Sequence, residues 1–139
     1  MFSHIQSALI KSFTDGDHNL DVAYPNISFT PKINTEYAQL FIIPNQPYAV
    51  TLGNNGEDEY TGIMQINLNY PVNTGALNIN LKAEEILARY KAGMKYKYED
   101  QSVLITSAGQ SAVGQVVDNY YRIPLTIEWT ARTFRNIEV

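Results

Sequence analysis

Hydrophobic positions along this chain follow two spacings, one typical of helices and one typical of strands. From Phe2 to Phe13, apolar residues recur every three or four positions and so share one face of an amphipathic helix. A second stripe of this kind runs from Ala76 to Lys91, and Gly93 follows as a stop signal. The pattern therefore predicts two helices, each with one apolar face that must be covered.

Strands are predicted where apolar residues alternate with polar ones, or form a short run between turn residues. The longest are Tyr60–Tyr70 and Tyr121–Thr133, and their alternation predicts one buried and one polar face. Pro124 belongs to the outward-facing set of the last strand, which favours an edge position or a bulge. The shorter candidates are Leu20–Tyr24, Ile27–Phe29, Tyr37–Ile43, Tyr48–Leu52 and Ser102–Thr106.

Two segments are predicted to be exposed loops because polar and small residues replace the apolar pattern. They are Gly53–Glu59, the most polar stretch of the chain, and Ser107–Gly114. Short turns join the strands, and Tyr48–Leu52 is expected to pair with the strand before it. We therefore predict one α+β domain spanning all 139 residues, with an antiparallel meander or mixed β-sheet and two α-helices packed against it.

Composition narrows the possible functions. With 45% hydrophobic and 17% charged residues, the chain is globular, and its charged fraction suits a subunit with buried interfaces. The net charge is -4 and the basic residues are scattered, which argues against a protein that wraps nucleic acid. The absence of cysteine excludes disulfides, thiolate chemistry and cysteine-based zinc sites.

Membrane insertion is not expected from the hydrophobic pattern. The longest apolar run, Leu40–Ile43, is far shorter than the roughly 20 residues that cross a bilayer. The first residues lack the positive stretch and apolar core of a signal peptide. We therefore expect a soluble protein that is intracellular when it is made.

Candidate catalytic and metal-binding residues are few. His4 lies on the first predicted helix and His18 in a turn, and neither spacing pairs them with an acid or nucleophile. Glu57, Asp58 and Glu59 are able to bind a hard cation, but they lack the EF-hand spacing, which favours a solvated segment. No nucleotide-binding or hydrolase motif occurs. We predict no catalytic residues, no cofactor and no metal.

The ten tyrosines leave two interpretations open. Tyrosine is enriched at protein interfaces, where it buries area and keeps a polar tip. It is also common in ordinary sheet packing. The residues concerned are Tyr96, Tyr98, Tyr120 and Tyr121.

Four segments, in their order along the chain, carry a family resemblance. They are Tyr24–Pro31 after the first helix, Glu59–Pro71 as a central strand with an early glycine and a final proline, Asn73–Gly75 before the second helix, and Arg122–Trp129 as the closing strand. This arrangement resembles the tail terminator and tail completion proteins of long-tailed bacteriophages. The resemblance covers about residues 1–133.

The resemblance implies a structural, non-enzymatic virion protein of the tail that is assembled in the host cytoplasm. Such proteins form a homo-oligomeric ring, usually of six copies, that caps the tail tube, ends its polymerisation and offers a head-joining surface. The implied partners are further copies of the chain, the tail tube protein and a head-completion or connector protein. DNA passes through the lumen without specific binding, and no membrane is involved.

Two groups of residues are candidates for the interfaces of such a ring. Glu57, Asp58 and Glu59 are predicted to form a tube- or lumen-facing loop, because carboxylates repel the phosphates of passing DNA. An apolar docking loop is predicted to contain Val113, Val116 and Val117. The alternatives are a tail tube or head–tail connector subunit, or a small ligand-binding or enzymatic α+β domain. The last would need a concave apolar pocket with converging polar groups.

Overall fold

In the part of the chain that the structure describes, eight strands form one mixed sheet, and two helices pack against one of its faces. The computed structural model describes residues 2–53 and 56–134. The elements are α1 (Phe2–Thr14), β1 (Asp21–Ala23), β2 (Tyr37–Pro44), β3 (Tyr48–Ala49), β4 (Glu57–Pro71), α2 (Leu77–Leu87), β5 (Lys95–Tyr98), β6 (Gln101–Gln110), β7 (Gln115–Val117) and β8 (Tyr120–Phe134). The predicted α+β class with two packed helices is confirmed.

The two longest strands, β4 and β8, form the centre of the sheet. Each has 15 residues, and they pair antiparallel along their whole length. The strand order is β1-β2-β4-β8-β6-β5, with β3 attached to β4 and β7 attached to β8. Among the described strands, only β1 pairs in parallel, with β2. The sheet is therefore mixed and is not a meander, because β8, the last strand of the chain, lies between β4 and β6.

One apolar core lies between the helices and the sheet. Both predicted helical stripes face it, and so does the alternate set of side chains on β4 and β8. Burying one such side chain fully contributes about 1.5–3 kcal/mol, so these faces hold the helices on the sheet. The fully buried large side chains include Ile5, Leu9, Leu40, Met64, Ile66, Leu68, Ile79, Ile86, Ile105 and Trp129.

The second helix is shorter than its stripe predicts. It ends at Leu87 rather than Lys91, and Tyr90 donates its backbone N–H to the Leu87 oxygen three residues back. Gly93 then adopts a positive φ of 96° and donates to the Ile105 oxygen at 2.8 Å. The apolar pattern extends beyond the helix because Tyr90, in the segment between α2 and β5, is also buried in the core.

Two short predicted strands differ in the structure. Tyr48 and Ala49 pair with β4 instead of β2, because the extended start of β4 offers them a free edge. The Ile27–Phe29 segment forms no strand, and the Phe29 ring packs 5.3 Å from that of Tyr37. Asn26 has a positive φ of 56°, which breaks the extended conformation there.

The sheet face opposite the helices is only partly solvated. Asn69, predicted to be on the polar face, is completely buried and accepts a hydrogen bond at 2.7 Å from Arg122 Nε. Tyr37 on the same row is covered by Phe29 and Tyr120. The long segment before β2 therefore covers this end of the face that the alternation predicted to be open.

Pro124 lies in the central strand β8, so the edge alternative is wrong, but it faces an irregular stretch in which residues 111–114 lie opposite Ile123 and Pro124 alone. Its carbonyl oxygen accepts from Ser111 N at 3.1 Å, beside the gap between the partner strands β6 and β7. The N–H and C=O of one residue point to the same side of an antiparallel strand. The side of Pro124 on which other residues carry an N–H therefore faces this gap. The proline thus removes no hydrogen bond from the pairing of β8 with β4.

Within residues 2–53 and 56–134, neither helix has the length and apolar character needed to cross a lipid bilayer.

Candidate functional site

The three acidic residues lie in a strand and not in a loop. Glu57, Asp58 and Glu59 open β4, because β3 and the end of β8 pair with them on both sides. Side chains alternate along a strand, so Glu57 and Glu59 share one face of the sheet while Asp58 lies on the other. The loop predicted over Gly53–Glu59 is therefore wrong for its last three residues, and Asn54 and Asn55 lie outside the described residues. Three carboxylates on one rim are incompatible with this strand pairing.

The glutamates are held by neighbouring strands. Glu57 Oε2 lies 3.5 Å from Arg132 Nη1 on β8. The Tyr48 hydroxyl donates to Glu59 Oε2, and Thr130 Oγ1 donates to Glu59 Oε1 at 3.3 Å. The pair therefore forms a fixed acidic row on the face of the sheet that has no helix.

The predicted docking loop is largely extended along β8, and its last part, β7, forms a hairpin with the start of β8. Ser107–Gln110 belongs to β6, which continues along β8 after a register shift, and Val116 and Val117 belong to β7. Strand pairing with β8 explains why these small residues are extended. Val113 and Val116 are 78% and 69% exposed, whereas Val117 is half-buried.

A shallow apolar groove lies beside this hairpin. Its volume is about 380 Å³, and Val116 forms part of its wall. Pro71, Val72, Ala76 and Tyr121 complete the apolar lining. This end of the sheet therefore presents an exposed valine in the wall of a shallow, mostly apolar groove.

The opposite end of the sheet carries a second set of exposed apolar side chains, which the sequence did not predict. Phe41 and Ile43 lie on the face of β2 without a helix and are 44% and 48% exposed. The sequence shows apolar residues on both sides of this strand, which normally indicates burial on both faces. The other members are Tyr48, Val50 and Leu52.

The two histidines do not meet. His4 Nε2 lies 3.7 Å from Glu99 at the start of α1, whereas His18 follows the other end of that helix, 3.8 Å from Glu85. Burial lowers the pKa of His18, and the charge of Glu85 opposes this only in part. Across the described ranges, no group of three or more His, Asp or Glu residues is arranged to hold a metal ion.

The four singled-out tyrosines make packing contacts inside the subunit. The Tyr96 hydroxyl donates to the Arg89 oxygen, and Tyr98 packs against His4 at 5.6 Å. Tyr120 meets Tyr37 edge-on at 5.1 Å, and the Tyr121 ring lies over Gly114. These contacts favour the sheet-packing interpretation.

The fold and surfaces define the class: a small α+β protein whose mixed sheet has helices on one face and exposed apolar side chains at both ends. The family model described as phage tail terminator protein matches residues 4–129, so the chain belongs to this family. This confirms the resemblance seen in the sequence. The chain is thus a structural protein of the bacteriophage tail.

A solved structure has the same fold. It superposes with a TM-score of 0.75 and 20% sequence identity, over 91% of this chain and 92% of that chain. No curated protein matches the sequence.

Proposed function

We propose that this protein forms a ring that caps the phage tail tube, ends tube polymerisation and provides the surface for head joining. Family membership supports a tail role, and one observation carries the finer assignment. Exposed apolar side chains occur at both ends of the sheet, at Val113 and Val116 and at Phe41, Ile43 and Leu52. Exposed apolar clusters mark interaction surfaces, and a terminator needs two such surfaces, one for the tube and one for the head.

The ring is proposed to contain six copies joined by head-to-tail contacts, since such contacts close on themselves when the rotation fits. Its other partners are the tail tube protein and a head-completion or connector protein. DNA passes through the lumen without specific binding, and the ring has no catalytic role. Assembly takes place in the host cytoplasm, before the tail joins the head.

The acidic row and the hairpin remain the proposed contact residues. Glu57 and Glu59 are proposed to border the lumen or the tube, where their charge repels phosphate. Val113 and Val116, with the half-buried Val117 next to them in sequence, are proposed to dock on a partner. The strand position of Asp58 turns it to the other sheet face, so it is expected to contribute least to repulsion.

The test is tube growth in the presence of the purified protein. The tail tube protein is polymerised with and without this chain, and tube length is measured by negative-stain electron microscopy. We expect tubes of limited length with a ring at one end, and a six-copy mass for the ring by mass photometry. Incorporation along the whole tube would instead identify a tube subunit, and a monomer that ignores tubes would contradict the proposal.

A further inference from the structure

The two outer strands of the sheet end in open edges. β1 closes the strand order on one side and β5 on the other, and within residues 2–53 and 56–134 no further strand pairs outside them. An edge of this kind presents unpaired backbone N–H and C=O groups to solvent. Both edges are therefore able to accept another chain.

The β5 strand is basic, and the turn that follows it carries Glu99 and Asp100. Lys95 and Lys97 are exposed and lie two residues apart, so they share one face of the strand. In the described part of the chain, neither lysine forms an ion pair. Glu99 in the next turn is engaged by α1, where it lies 3.7 Å from His4.

The β1 edge is acidic. Asp17, Asp21 and Glu36 line an open concavity of about 370 Å³, which also contains Lys32, 3.8 Å from Asp21. His18 lines the same concavity, is 5% exposed, and its Nε2 has no hydrogen-bond partner among the described residues.

The two edges lie at opposite ends of α1. At its start, the His4 ring packs against Tyr98 of β5, and at its end Thr14 Oγ1 lies 3.0 Å from the hydroxyl of Tyr24, next to β1. A helix of 13 residues is about 20 Å long. One copy therefore presents its basic edge and its acidic edge on opposite sides.

Asp21, Lys95 and Lys97 lie on one face of the sheet. Glu36 precedes Tyr37, the strand partner of Asp21, so its side chain points to the other face, beside Tyr70 and α2. Asp21 pairs with Tyr37, which pairs with Asn69 of β4. Lys95 is connected in the same way, through Leu104 and Thr130, to Thr61 of β4. Asn69 and Thr61 are eight residues apart, an even spacing, so their side chains point to one face. A sheet that continued from one copy into the next would keep the charges of Asp21, Lys95 and Lys97 together.

We propose that the β5 edge of one copy docks on the β1 edge of a second copy, so that Lys95 and Lys97 meet Asp21 on one face of the joined sheet, while Glu36 adds negative charge to the same edge on the other face. Opposite charges on facing strands stabilise the contact, and like charges disfavour the symmetric pairing of two β5 edges. The two surfaces differ, so the contact is head-to-tail and closes into a ring when the rotation fits. The inference deepens the proposed ring function and rests on it.

Charge reversal tests this contact. One variant carries K95E and K97E, so both edges are acidic, and a second carries D21K and E36K, so both are basic. Asp17 is left unchanged because its φ of 47° is a conformation that lysine adopts with strain. Ring assembly is measured by mass photometry and negative-stain microscopy, alone and on tubes of the tail tube protein.

We expect each variant alone to need at least about tenfold more protein for half-assembly, because like charges then face each other. An equimolar mixture of the two should assemble again as alternating rings. A single chain with all four substitutions keeps the wild-type net charge and should also assemble, which controls for folding. E84K, an exposed change on α2, is the matched control and should assemble as wild type does.

The outcomes separate this inference from the ring function. If both variants form rings at the same protein concentration as the wild type, the lysines merely protect an edge strand. This result would overturn the edge contact alone. Loss of rings in both variants without recovery in the mixture or in the four-substitution chain would overturn it as well. A wild-type chain that forms no ring, alone or on tubes, would overturn the ring function together with the contact.

Discussion

The hydroxyl groups of Ser12 and Tyr90 lie 2.8 Å apart in the core and connect α1 to the segment that follows α2. Ser12 Oγ also donates to the Leu9 oxygen at 2.6 Å, which uses its single proton. Tyr90 must therefore be the donor in the bond between them. Tyr90 is fully buried, and this burial raises the pKa of its hydroxyl well above the ordinary value.

This direction of donation predicts unequal costs for the two hydroxyls. Y90F removes the donor and should lower the free energy of unfolding by about 0.5–1.5 kcal/mol. S12A leaves the buried Tyr90 O–H without an acceptor and should cost about 1–3 kcal/mol. Urea denaturation followed by tryptophan fluorescence measures both.

The matched control is Y24F, which removes a tyrosine hydroxyl bonded to Thr14 on the exposed surface. It should cost less than Y90F, because water replaces the lost partner. A Y24F variant that loses as much stability as S12A would contradict the ranking.

Gly62 predicts a second stability effect, because the sheet leaves no room for a side chain there. A Cβ at this position would lie 2.7 Å from Trp129 Cζ2 and 2.9 Å from Pro44 Cα, and closer still to the Ile43 oxygen. G62A should therefore destabilise the protein by about 1–3 kcal/mol, the usual cost of overpacking. Thermal unfolding by circular dichroism provides the measurement.

Gly109 on β6 is the matched control, since nothing lies within 4 Å of a Cβ placed there. G109A should change stability by less than about 0.5 kcal/mol, as surface substitutions do. Equal losses in the two alanine variants would show that a general need for glycine in the sheet, and not crowding at Trp129, sets the cost.

Stability should fall below neutral pH because of His18. Burial lowers its folded-state pKa below the ordinary 6.5, with Glu85 opposing, so the unfolded chain binds a proton that the folded chain does not. The contribution of His18 is therefore present above about pH 6.5 and is lost as the pH falls toward its folded pKa. H18Q should remove this part of the pH slope in urea midpoints measured from pH 7.5 to pH 5.

His4 supplies the control for this titration. Its side chain is 45% exposed, and H4Q leaves His18 and its surroundings intact, so the slope should persist. A slope that survives H18Q undiminished would assign the acid sensitivity to other groups.

Local pattern predicted the helices and long strands but not their partners. The Phe2–Phe13 stripe gave α1 almost to the residue, because its apolar spacing alone decides which face is buried. The partner of Tyr48 was predicted wrongly, because two edges were available and the choice depends on the three-dimensional path of β4. Burial of Asn69 depends on Arg122, 53 residues away, which no local window contains.

The candidate surfaces show the same division. Exposure of Val113 was predicted because it lies in the small, polar Ser107–Gly114 segment, and Val116 was a docking candidate beside that segment. Exposure of Phe41 was not, because an apolar run on both sides of a strand is equally consistent with burial. The acidic row was placed in a loop because its pairing with β8 joins residues that are far apart in sequence.

The acidic row predicts a charge effect that depends on the sheet face. E57Q and E59Q together remove two negative charges from the face without a helix, while the shape of both side chains is kept. If this face borders the lumen, phage carrying both changes should eject DNA more slowly, because repulsion of phosphate is weakened. Ejection is followed by the fluorescence of a DNA-binding dye after receptor is added.

D58N is the matched control, since Asp58 lies on the opposite sheet face. It should leave the ejection rate unchanged. Slower ejection in D58N alone would place the lumen on the helix-covered side, and unchanged rates in both variants would remove the role of this row in DNA passage.

The hairpin valines predict a loss of docking without a loss of stability. V113S and V116S together remove two exposed apolar side chains beside the groove formed with Pro71 and Tyr121. Unfolding free energy should change by less than about 0.5 kcal/mol, because neither side chain is buried. Affinity for the tail tube protein, measured by co-sedimentation with preformed tubes, should fall at least about tenfold, as expected when apolar anchors are lost.

L52S changes an exposed side chain at the other end of the sheet and should bind tubes normally. If L52S loses tube binding while the valine variant keeps it, the hairpin end faces the head.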